Sequence, residues 1–172
     1  MEIKDKELHR ITSTAIIYKD GPPARFAARR AGEAGKYLIL RRSLQKKAFP
    51  GKWTVPGGGL ETDDYINLPA SGAGQWYHAV EVSLRREIKE ETGLEVGALN
   101  YLLDIAFIRP DGVPVVILSY WTNYKAGEVK LDEDSIDYAC VSYEEAKNYD
   151  LIDGILGEIE MVDNMLKGKN NV

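Results

Sequence analysis

The chain has 172 residues, a length that suits one domain with its own hydrophobic core. Apolar residues make up 44% of the chain and charged residues 28%, a balance that excludes disordered and fibrous proteins. Lysine and arginine total 22 and aspartate and glutamate total 27, so the formal net charge is −5. This deficit argues against a basic surface that follows the phosphates of a nucleic-acid polymer.

The rest of the composition bears on the cellular compartment. The one cysteine, Cys140, cannot form an internal disulfide, and a lone thiol suits a reducing compartment. The N-terminal sequence MEIKDKELHR alternates in charge where a secretory signal needs an apolar run. No segment approaches the roughly 20 apolar residues that span a bilayer. We therefore expect a cytoplasmic protein with no membrane partner.

Three strands are predicted ahead of Pro56. Residues 11–18 are β-branched and aromatic and end at the turn sequence KDGPP, and residues 36–42 and 52–55 have a similar strand character. A loop separates the first two strands. The three glycines that follow Pro56 are not expected inside a strand. They mark a point where the backbone bends or closely approaches another group.

A helix is predicted for residues 75–92, after a polar loop over residues 62–74. Apolar side chains, among them Leu84 and Ile88, recur through it at four-residue spacing. Gly93 then supplies a typical helix stop. The pattern therefore predicts one central amphipathic helix.

The second half of the chain predicts further strands and two helices. Residues 102–109 and 113–123 have strand patterns joined by the turn sequence RPDG, and residues 138–141 form another short strand. A Ser-x-x-Glu capping pattern from Ser142 starts a helix, and a last amphipathic helix covers residues 152–166. The whole chain is thus predicted to be a single mixed α/β domain with mostly antiparallel hairpins.

Three glutamates in RREIKEETG share one side of the central helix. At about 100° per residue, Glu87, Glu90 and Glu91 fall within an arc of roughly 100°, and the apolar row overlaps that arc. Carboxylates at the edge of a buried seam suit Mg²⁺, which prefers oxygen ligands. A salt-bridged surface helix in a structural protein is the alternative, because like charges four residues apart cost only about a few tenths of a kcal/mol.

A strand, the glycine turn VPGGGLE and this acidic helix follow one another along the chain. In this order the sequence resembles the Nudix hydrolase family, whose box reads G-x5-E-x7-R-E-U-x-E-E-x-G-U, where U is a bulky aliphatic residue. Residues 86–94 match every fixed position of the right half, and Pro56, Gly57 and Gly58 supply the left half. The flanking segments YLILRR and DEDSIDYACVSYEEA match too, so the resemblance covers roughly residues 12–146.

The two halves of the box are out of register in this chain. Counted forward from Gly58, the box glutamate falls on Asp64; counted back from Arg86, it falls on His78. An insertion of about 14 residues, approximately residues 64–77, therefore splits the motif. Either Asp64 or His78 takes the place of the glutamate, or the role of that glutamate is lost.

The resemblance implies both a fold and a metal site. The fold is a Nudix-like α/β/α sandwich with a mixed, largely antiparallel sheet and a central loop-helix-loop catalytic motif. Glu87, Glu90 and Glu91 are implied to bind Mg²⁺, or Mn²⁺ in its place. The Gly58 carbonyl is a further implied ligand, and Arg86 is implied to orient the acids through its fixed fork of donors.

The resemblance also implies a carboxylate that accepts the proton of an attacking water. In the family this acid belongs either to the helix, here Glu87 or Glu90, or to a later loop. Asp134, with Glu133 beside it, aligns with that loop acid. The expected catalytic residues are therefore Glu87, Glu90, Arg86 and Asp134.

Three residues are candidates for contacts to substrate. Arg42 ends the strand before the box and either contacts a phosphate or is a strand-end arginine in solvent. Tyr65 and Trp76, in the insertion, either stack on a base, pack against a second subunit or pack within their own subunit. The expected partner is a small-molecule nucleotide rather than a nucleic-acid polymer, and the resemblance allows for a homodimer. The loops at residues 21–35 and 63–77 contain no sequence pattern that identifies the substrate.

The resemblance thus predicts a Mg²⁺-dependent hydrolase that cleaves a diphosphate linkage in a nucleoside diphosphate joined to another group. Candidate substrates are nucleoside triphosphates, ADP-ribose and nucleotide sugars. The alternative is a non-catalytic Nudix-like module that binds a nucleotide as a sensor or interaction domain. The displaced box glutamate is the feature that favours this alternative, and the intact set of three helix glutamates argues against it.

Overall fold

The computed structural model describes residues 7–19, 37–109 and 111–169. The loop predicted at residues 21–35 lies outside the described residues, as does Pro110 of the RPDG turn. Within them the chain forms, in order, β1 (Arg10–Tyr18), β2 (Tyr37–Arg42), β3 (Trp53–Thr54), β4 (Gly57–Gly59), a 3₁₀ turn (Thr62–Asp64), α1 (Ala79–Thr92), β5 (Glu95–Val96), β6 (Asn100–Ile108), β7 (Pro114–Ala126), β8 (Ser135–Val141), α2 (Tyr143–Ala146) and α3 (Ile155–Lys169).

The strands form one mixed sheet built around β1. β1 runs parallel to β7 along its whole length, and it pairs antiparallel with β4 and, through Tyr18 and Tyr37, with β2. β5 and β6 lie antiparallel to β7, while β3 and β8 lie antiparallel to β2. Among the named strands of the described segments, β1 and β7 are the one parallel pair. The predicted mixed, largely antiparallel sheet is therefore confirmed.

Side chains of β1 and β2 alternate between two buried faces, as expected for strands covered on both sides. One face packs against α3, and its core includes Ile16, Tyr37, Ile39, Ile159 and Val162. The other face packs against α1, and its core includes Ala15, Ile17, Leu38, Leu40, Leu84 and Ile88. A sheet between helices on both faces is the predicted α/β/α sandwich.

The prediction for the three glycines was half wrong. They form strand β4, which pairs with residues Thr12, Ser13 and Thr14 of β1. Glycine is what lets this strand form, because a Cβ on Gly57 would collide with the Ser13 carbonyl, and the φ angle of Gly57 is 152°. The close approach that the glycines indicated is therefore real, and the expected exclusion from a strand is not.

Helix α1 begins later than the periodicity predicted. Residues 71–75 close on themselves through a bridge between Gly72 and Gln75, and His78 adopts a left-handed conformation with φ 62°. The helix therefore starts at Ala79 rather than at residue 75. Its predicted end is confirmed, because Gly93 is left-handed at φ 71° and its N–H donates to the Lys89 carbonyl.

The remaining differences lie in the second half of the chain. The two-residue strand β5 was missed, since so short an element has no pattern of its own and exists only by pairing with β7. The capping box of Ser142 and Glu145 is confirmed, but α2 ends after four residues. The last helix starts at Ile155, three residues late, because Leu151 first forms a bridge with Trp53. No helix in the described segments has the length and apolar character needed to cross a membrane.

Candidate active site

Folding places the glycine strand directly against the acidic helix. The Gly57 N–H donates to Glu91 Oε2 at 2.9 Å, and Ser83 Oγ donates to the Gly59 carbonyl at 3.2 Å. Between these two bonds, Gly58 faces Glu87 so closely that a Cβ at that position would overlap the carboxylate. The two halves of the split motif, distant in sequence, are therefore adjacent in space.

Asp64 forms a forked ion pair with Arg86. Arg86 Nε lies 2.5 Å from Asp64 Oδ1, and Arg86 Nη2 lies 3.1 Å from Asp64 Oδ2. Only 2% of the Asp64 side chain is exposed. The hydrogen bonds from Arg86 lower the pKa of Asp64 to about 2, against the opposing effect of burial. Asp64 also accepts a hydrogen bond from the Glu61 N–H.

His78 has none of these contacts. Its side chain is 77% exposed and lies 3.3 Å from Glu81, on the first turn of α1. It does not cap the helix with its side chain. Of the two positions that the sequence left open, Asp64 is therefore the one that meets the motif arginine.

Arg86 connects Asp64 to two of the helix glutamates. Its Nη1 lies 2.9 Å from Glu90 Oε2 and 3.0 Å from Glu87 Oε1. The bond to Asp64, followed by those to the glutamates, raises the pKa of Arg86 above its ordinary value. The guanidinium therefore stays charged and is held in one orientation by these contacts.

Burial acts on the two glutamates nearest the glycine strand. It raises the pKa of Glu87, against the charge of Arg86, and it raises the pKa of Glu91 to about 8, against the bond from Gly57. The negative charges of Glu87 and Asp132 raise the pKa of Glu91 further. The site therefore concentrates carboxylates whose charged form is costly without a cation nearby.

The donor set fits a hard divalent cation. Glu87, Glu90 and Glu91 supply carboxylate oxygens, the type of ligand that Mg²⁺ takes, and Gly58 lies against Glu87. In residues 7–19, 37–109 and 111–169, no group of three or more His, Cys, Asp or Glu side chains is already placed to hold a metal. Two of the three glutamates are paired with Arg86 instead. They must share or release that partner to coordinate an ion.

Two aspartates of the acidic loop before β8 have different surroundings. The Asp134 carboxylate forms an ion pair with Lys46, and the Asp134 N–H donates to Asp132 Oδ1 at 2.9 Å. Asp132, two residues earlier, is the loop acid whose charge acts on Glu91. The sequence signal for this residue was the acidic run itself, which does not say which of its members faces the site.

Sequence reasoning also missed Ser83. It is fully buried in α1, its hydroxyl donates to the Gly59 carbonyl, and Arg86 Nη2 lies 3.5 Å from it. It contributes to the lowered pKa of Asp64. The available signal was its position three residues before Arg86, on the same face of the helix.

The predicted substrate contacts are placed as follows. Arg42 Nε donates to the Ala48 carbonyl at 3.1 Å, and its charge lowers the pKa of Glu91 against the larger effect of burial. Tyr65 and Trp76 pack on each other, with ring centroids 5.4 Å apart at 50°, and Trp76 Nε1 donates to the Leu68 carbonyl at 2.9 Å. These rings therefore pack within their own subunit, inside the insertion.

We expect Gly58→Ala to reduce catalysis without unfolding the protein. The new Cβ would occupy the position of the Glu87 carboxylate, the flexible end of a side chain, which can move aside while the backbone stays in place. A displacement of about 1 Å at a catalytic group costs on the order of 10²-fold in rate. Steady-state kinetics and a melting curve of the same preparation measure the two effects.

Gly59→Ala is the matched control for this prediction. The three atoms nearest to its Cβ would belong to the Arg10 guanidinium and not to the helix glutamates. Its kcat is therefore expected to stay close to that of the unmodified protein. Equal losses of activity in the two variants would show that the strand as a whole, and not the contact with Glu87, is sensitive to substitution.

Comparisons with known proteins agree with this geometry. The model of the NUDIX domain matches residues 21–159. The nucleoside triphosphatase NudI of Klebsiella pneumoniae (strain 342) is 30% identical over 128 residues, which is 68% of this chain and 80% of the relative. NudI of Escherichia coli (strain K12 / DH10B) is 31% identical over 127 residues, with the same shares of the two chains.

Solved structures show the same fold. The MutT protein from Methanosarcina mazei Go1 has a TM-score of 0.64 and 23% identity, covering 95% of this chain and 99% of its own. The NUDIX domain of Shewanella oneidensis NrtR, complexed with ADP ribose, has a TM-score of 0.66 and 15% identity, covering 93% and 90%. The domain match, the NudI relatives and the rejoined motif together establish that the chain belongs to the Nudix hydrolase family.

Proposed function

We propose that this chain is a Mg²⁺-dependent hydrolase that cleaves a diphosphate linkage in a nucleoside diphosphate joined to another group. Nucleoside triphosphates are the first substrates to test, because the NudI relatives at 30–31% identity are named nucleoside triphosphatases. ADP-ribose and nucleotide sugars remain in the proposed class. Mn²⁺ is the proposed substitute metal, since it accepts the same oxygen ligands.

The observation that carries the proposal is the network around Arg86. One guanidinium joins the buried Asp64 to Glu87 and Glu90, and Glu91 is tied to the glycine strand beside them. Three unusual features meet at this place: the buried acid Asp64, the strand β4 that has no room for side chains, and Glu91 with a pKa of about 8. A helix that only covers a solvated surface would not require them. These features support a site that handles a cation and anionic oxygens.

Each part of the site has a proposed role. A bound divalent cation supplies charge neutralisation at the phosphate oxygens and lowers the pKa of the attacking water. Glu87, Glu90, Glu91 and the Gly58 carbonyl are the groups that would hold it. Arg86, fixed by its contacts, keeps the glutamates in position.

Substrate contacts remain proposals as well. Arg42 Nε donates to the Ala48 carbonyl, and the charge of the guanidinium acts on Glu91. An arginine held in this way suits a phosphate oxygen. Stacking of a base on Tyr65 or Trp76 remains a proposal, and it would have to accommodate the contact between the two tilted rings.

The identity of the proton acceptor is tested by two neighbouring variants. We expect Asp132→Asn to lower kcat by on the order of 10²-fold, the usual size of a general-base contribution, because the charge of Asp132 reaches Glu91. We expect Asp134→Asn to change kcat by less than about fivefold, since its carboxylate is engaged by Lys46 at the surface. A larger loss of kcat in Asp134→Asn than in Asp132→Asn would identify Asp134 as the proton acceptor. If both variants stay active, the proton acceptor would be Glu87 or Glu90.

The proposed function is tested by a panel of substrates with and without metal. Nucleoside triphosphates, ADP-ribose, dinucleotides and nucleotide sugars are incubated with the folded protein in Mg²⁺, Mn²⁺ or a chelator, and released phosphate and nucleotide are measured. We expect metal-dependent release from at least one member. Binding of a nucleotide without any turnover would instead favour a sensor or interaction module. A metal-dependent rise in melting temperature reports binding to the folded state independently of turnover.

Three further proposals concern the setting of the protein. We propose a small-molecule nucleotide, and not a nucleic-acid polymer or a membrane, as its partner, because the net charge is −5. We propose a cytoplasmic location, because the one thiol suits a reducing compartment. A homodimer is also proposed, and sedimentation of the purified chain measures it directly.

A further inference from the structure

Phe49, in the loop between β2 and β3, has a backbone conformation that bulky residues rarely adopt. Its φ angle is 52°, in the left-handed region, where the Cβ atom crowds the neighbouring backbone. In the part of the chain that the structure describes, three residues other than glycine have a positive φ, and Phe49 is the one with a large apolar side chain. It is not a core residue, because 43% of it is exposed. Backbone strain of this kind concentrates at binding and catalytic sites.

Hydrogen bonds on both sides of Phe49 hold the strained backbone in place. The carbonyl of the preceding residue, Ala48, accepts a bond from Arg42 Nε at 3.1 Å. Two residues after Phe49, the Gly51 carbonyl accepts a bond from Arg41 Nε at 3.2 Å. Both arginines belong to β2, so the loop is fastened to the sheet at two points. The aromatic ring is therefore carried by a backbone that is fixed before any ligand binds.

The same loop borders the candidate active site. Arg42, which holds the carbonyl next to Phe49, has a charge that acts on Glu91. The loop also contacts the acidic loop before β8, because the Ser43 N–H donates to the Asp134 carbonyl at 2.8 Å. Arg42 is half-buried and Phe49 is exposed, so a ligand reaches both from solvent without entering the protein core. A ligand bound at the helix glutamates can therefore extend over Arg42 to the loop that carries Phe49.

The charge of this segment suits the phosphates of such a ligand. Residues 41–52, RRSLQKKAFPGK, contain five lysines and arginines and no acidic residue, although the whole chain has a net charge of −5. The Nε groups of the two arginines are bonded to backbone carbonyls, which do not neutralise the positive charge. Basic side chains beside an exposed aromatic ring bind unpaired nucleotides, because the cations attract the phosphates and the ring stacks on the base. The segment offers both kinds of contact within a few residues.

We propose that Phe49 is the stacking surface for the base of a nucleotide whose phosphates lie between Arg42 and the helix glutamates. This inference rests on the proposed function, because it assigns a further part of the same substrate. Stacking engages the face of a base and not its hydrogen-bonding edge, so the site accepts adenine and guanine alike and binds them more tightly than the smaller pyrimidines. The substrate class is therefore the purine nucleotides. Tyr65 and Trp76 are the competing stacking surface, in which each ring already contacts the other.

The test separates binding of the base from binding of the phosphates. The measurements are kcat and KM for the adenine and cytosine forms of the substrate that the panel identifies, and the inhibition constant of inorganic pyrophosphate, which has no base. In Phe49→Gly we expect the KM for the adenine form to rise by about tenfold while kcat changes by less than about twofold, since stacking stabilises the ground state and the transition state equally. The preference for adenine over cytosine is expected to approach one, and the inhibition constant is expected to stay unchanged. An unchanged KM, or an equal rise in the KM and in the inhibition constant, overturns the inference.

Further variants distinguish stacking from a structural role. The melting temperature of Phe49→Gly is expected not to fall, because glycine adopts a φ of 52° without strain. Phe49→Trp keeps an aromatic ring and is expected to hold the KM within about twofold of that of the unmodified protein. Phe49→Leu keeps an apolar side chain without a ring face, so its KM is expected to rise as in Phe49→Gly. If the glycine variant does not fold, the leucine variant decides, and an unchanged KM there overturns the inference.

Leu44→Ala is the matched control for these variants. Leu44 lies in the same loop and is 70% exposed, but it has no aromatic ring to stack on a base. Its KM and melting temperature are therefore expected to stay close to those of the unmodified protein. A rise in KM as large as that of Phe49→Gly would show that the loop as a whole, and not the ring, is sensitive to substitution, and would overturn the inference.

Failure of the proposed function is distinguished by binding. If no substrate is hydrolysed, calorimetric titration in Mg²⁺ compares AMP with ribose 5-phosphate, which differ by the base. Binding of AMP that is tighter by about tenfold in the unmodified protein, and not in Phe49→Gly, supports the inference while the hydrolase proposal fails. Equal binding of the two compounds, or no binding of either, overturns the inference as well. A preference for AMP that persists in Phe49→Gly and is lost in Trp76→Ala assigns the base to the insertion and also overturns it.

Discussion

Replacing Glu87 by glutamine is expected to lower metal-dependent hydrolysis by on the order of 10³-fold, the rate equivalent of the several kcal/mol that a metal ion contributes. Glu87 lies against Gly58, contacts Arg86 and shares its surroundings with Glu91. The substitution keeps the size of the side chain and removes its charge, so the fold is expected to persist. The measurement is kcat at saturating Mg²⁺, with the melting temperature recorded in the same buffer.

Glu81→Gln is the matched control for this variant. Glu81 belongs to the same helix but contacts the exposed His78 at its start, away from the glycine strand. Its kcat is expected to stay within about twofold of the unmodified protein, as for most surface substitutions away from a site. Activity of Glu87→Gln at the level of Glu81→Gln would remove Glu87 from the metal site.

Asp64→Asn is expected to destabilise the protein by about 2 to 3 kcal/mol. Removing one member of a buried ion pair costs about 3 to 5 kcal/mol, and the loss here is smaller because Arg86 is 31% exposed and keeps Glu87 and Glu90 as partners. For a chain of this size, such a change lowers the melting temperature by about 4 to 12 °C. Calorimetry at neutral pH measures the difference.

The ion pair of Asp64 and Arg86 also predicts how the loss of stability in Asp64→Asn depends on pH. The pKa of Asp64 is about 2 in the folded protein and has an ordinary value of 3.8, so the folded state favours its ionised form. The stabilisation is complete above about pH 5, decreases as the pH falls below 4, and is lost near pH 2. The gap in melting temperature between the unmodified protein and Asp64→Asn is therefore expected to narrow over that interval.

His78→Ala tests the other position that the box spacing left open. His78 is exposed and has no contact with Arg86, so its removal is expected to change stability by less than about 0.5 kcal/mol and to leave activity intact. A large effect of His78→Ala together with a small effect of Asp64→Asn would reverse the assignment of the box position.

Local patterns determined most of the fold. Alternating burial was encoded in the β-branched runs of β1 and β2, and the end of α1 was encoded in Gly93, because a left-handed residue without a Cβ stops a helix wherever it occurs. The row of Glu87, Glu90 and Glu91 followed from helical periodicity alone. Such features depend on residues a few positions apart, so they can be predicted from the sequence without the tertiary structure.

The tertiary structure decided which groups meet across long separations in sequence. Asp64 and His78 fit the box equally well by counting, and only the folded chain shows that the 3₁₀ turn after β4 brings Asp64 to Arg86. Strand β4 exists because β1 and α1 leave a space that only glycine fills. The orientation of the acidic loop likewise depends on packing between distant elements, which periodicity and spacing do not specify.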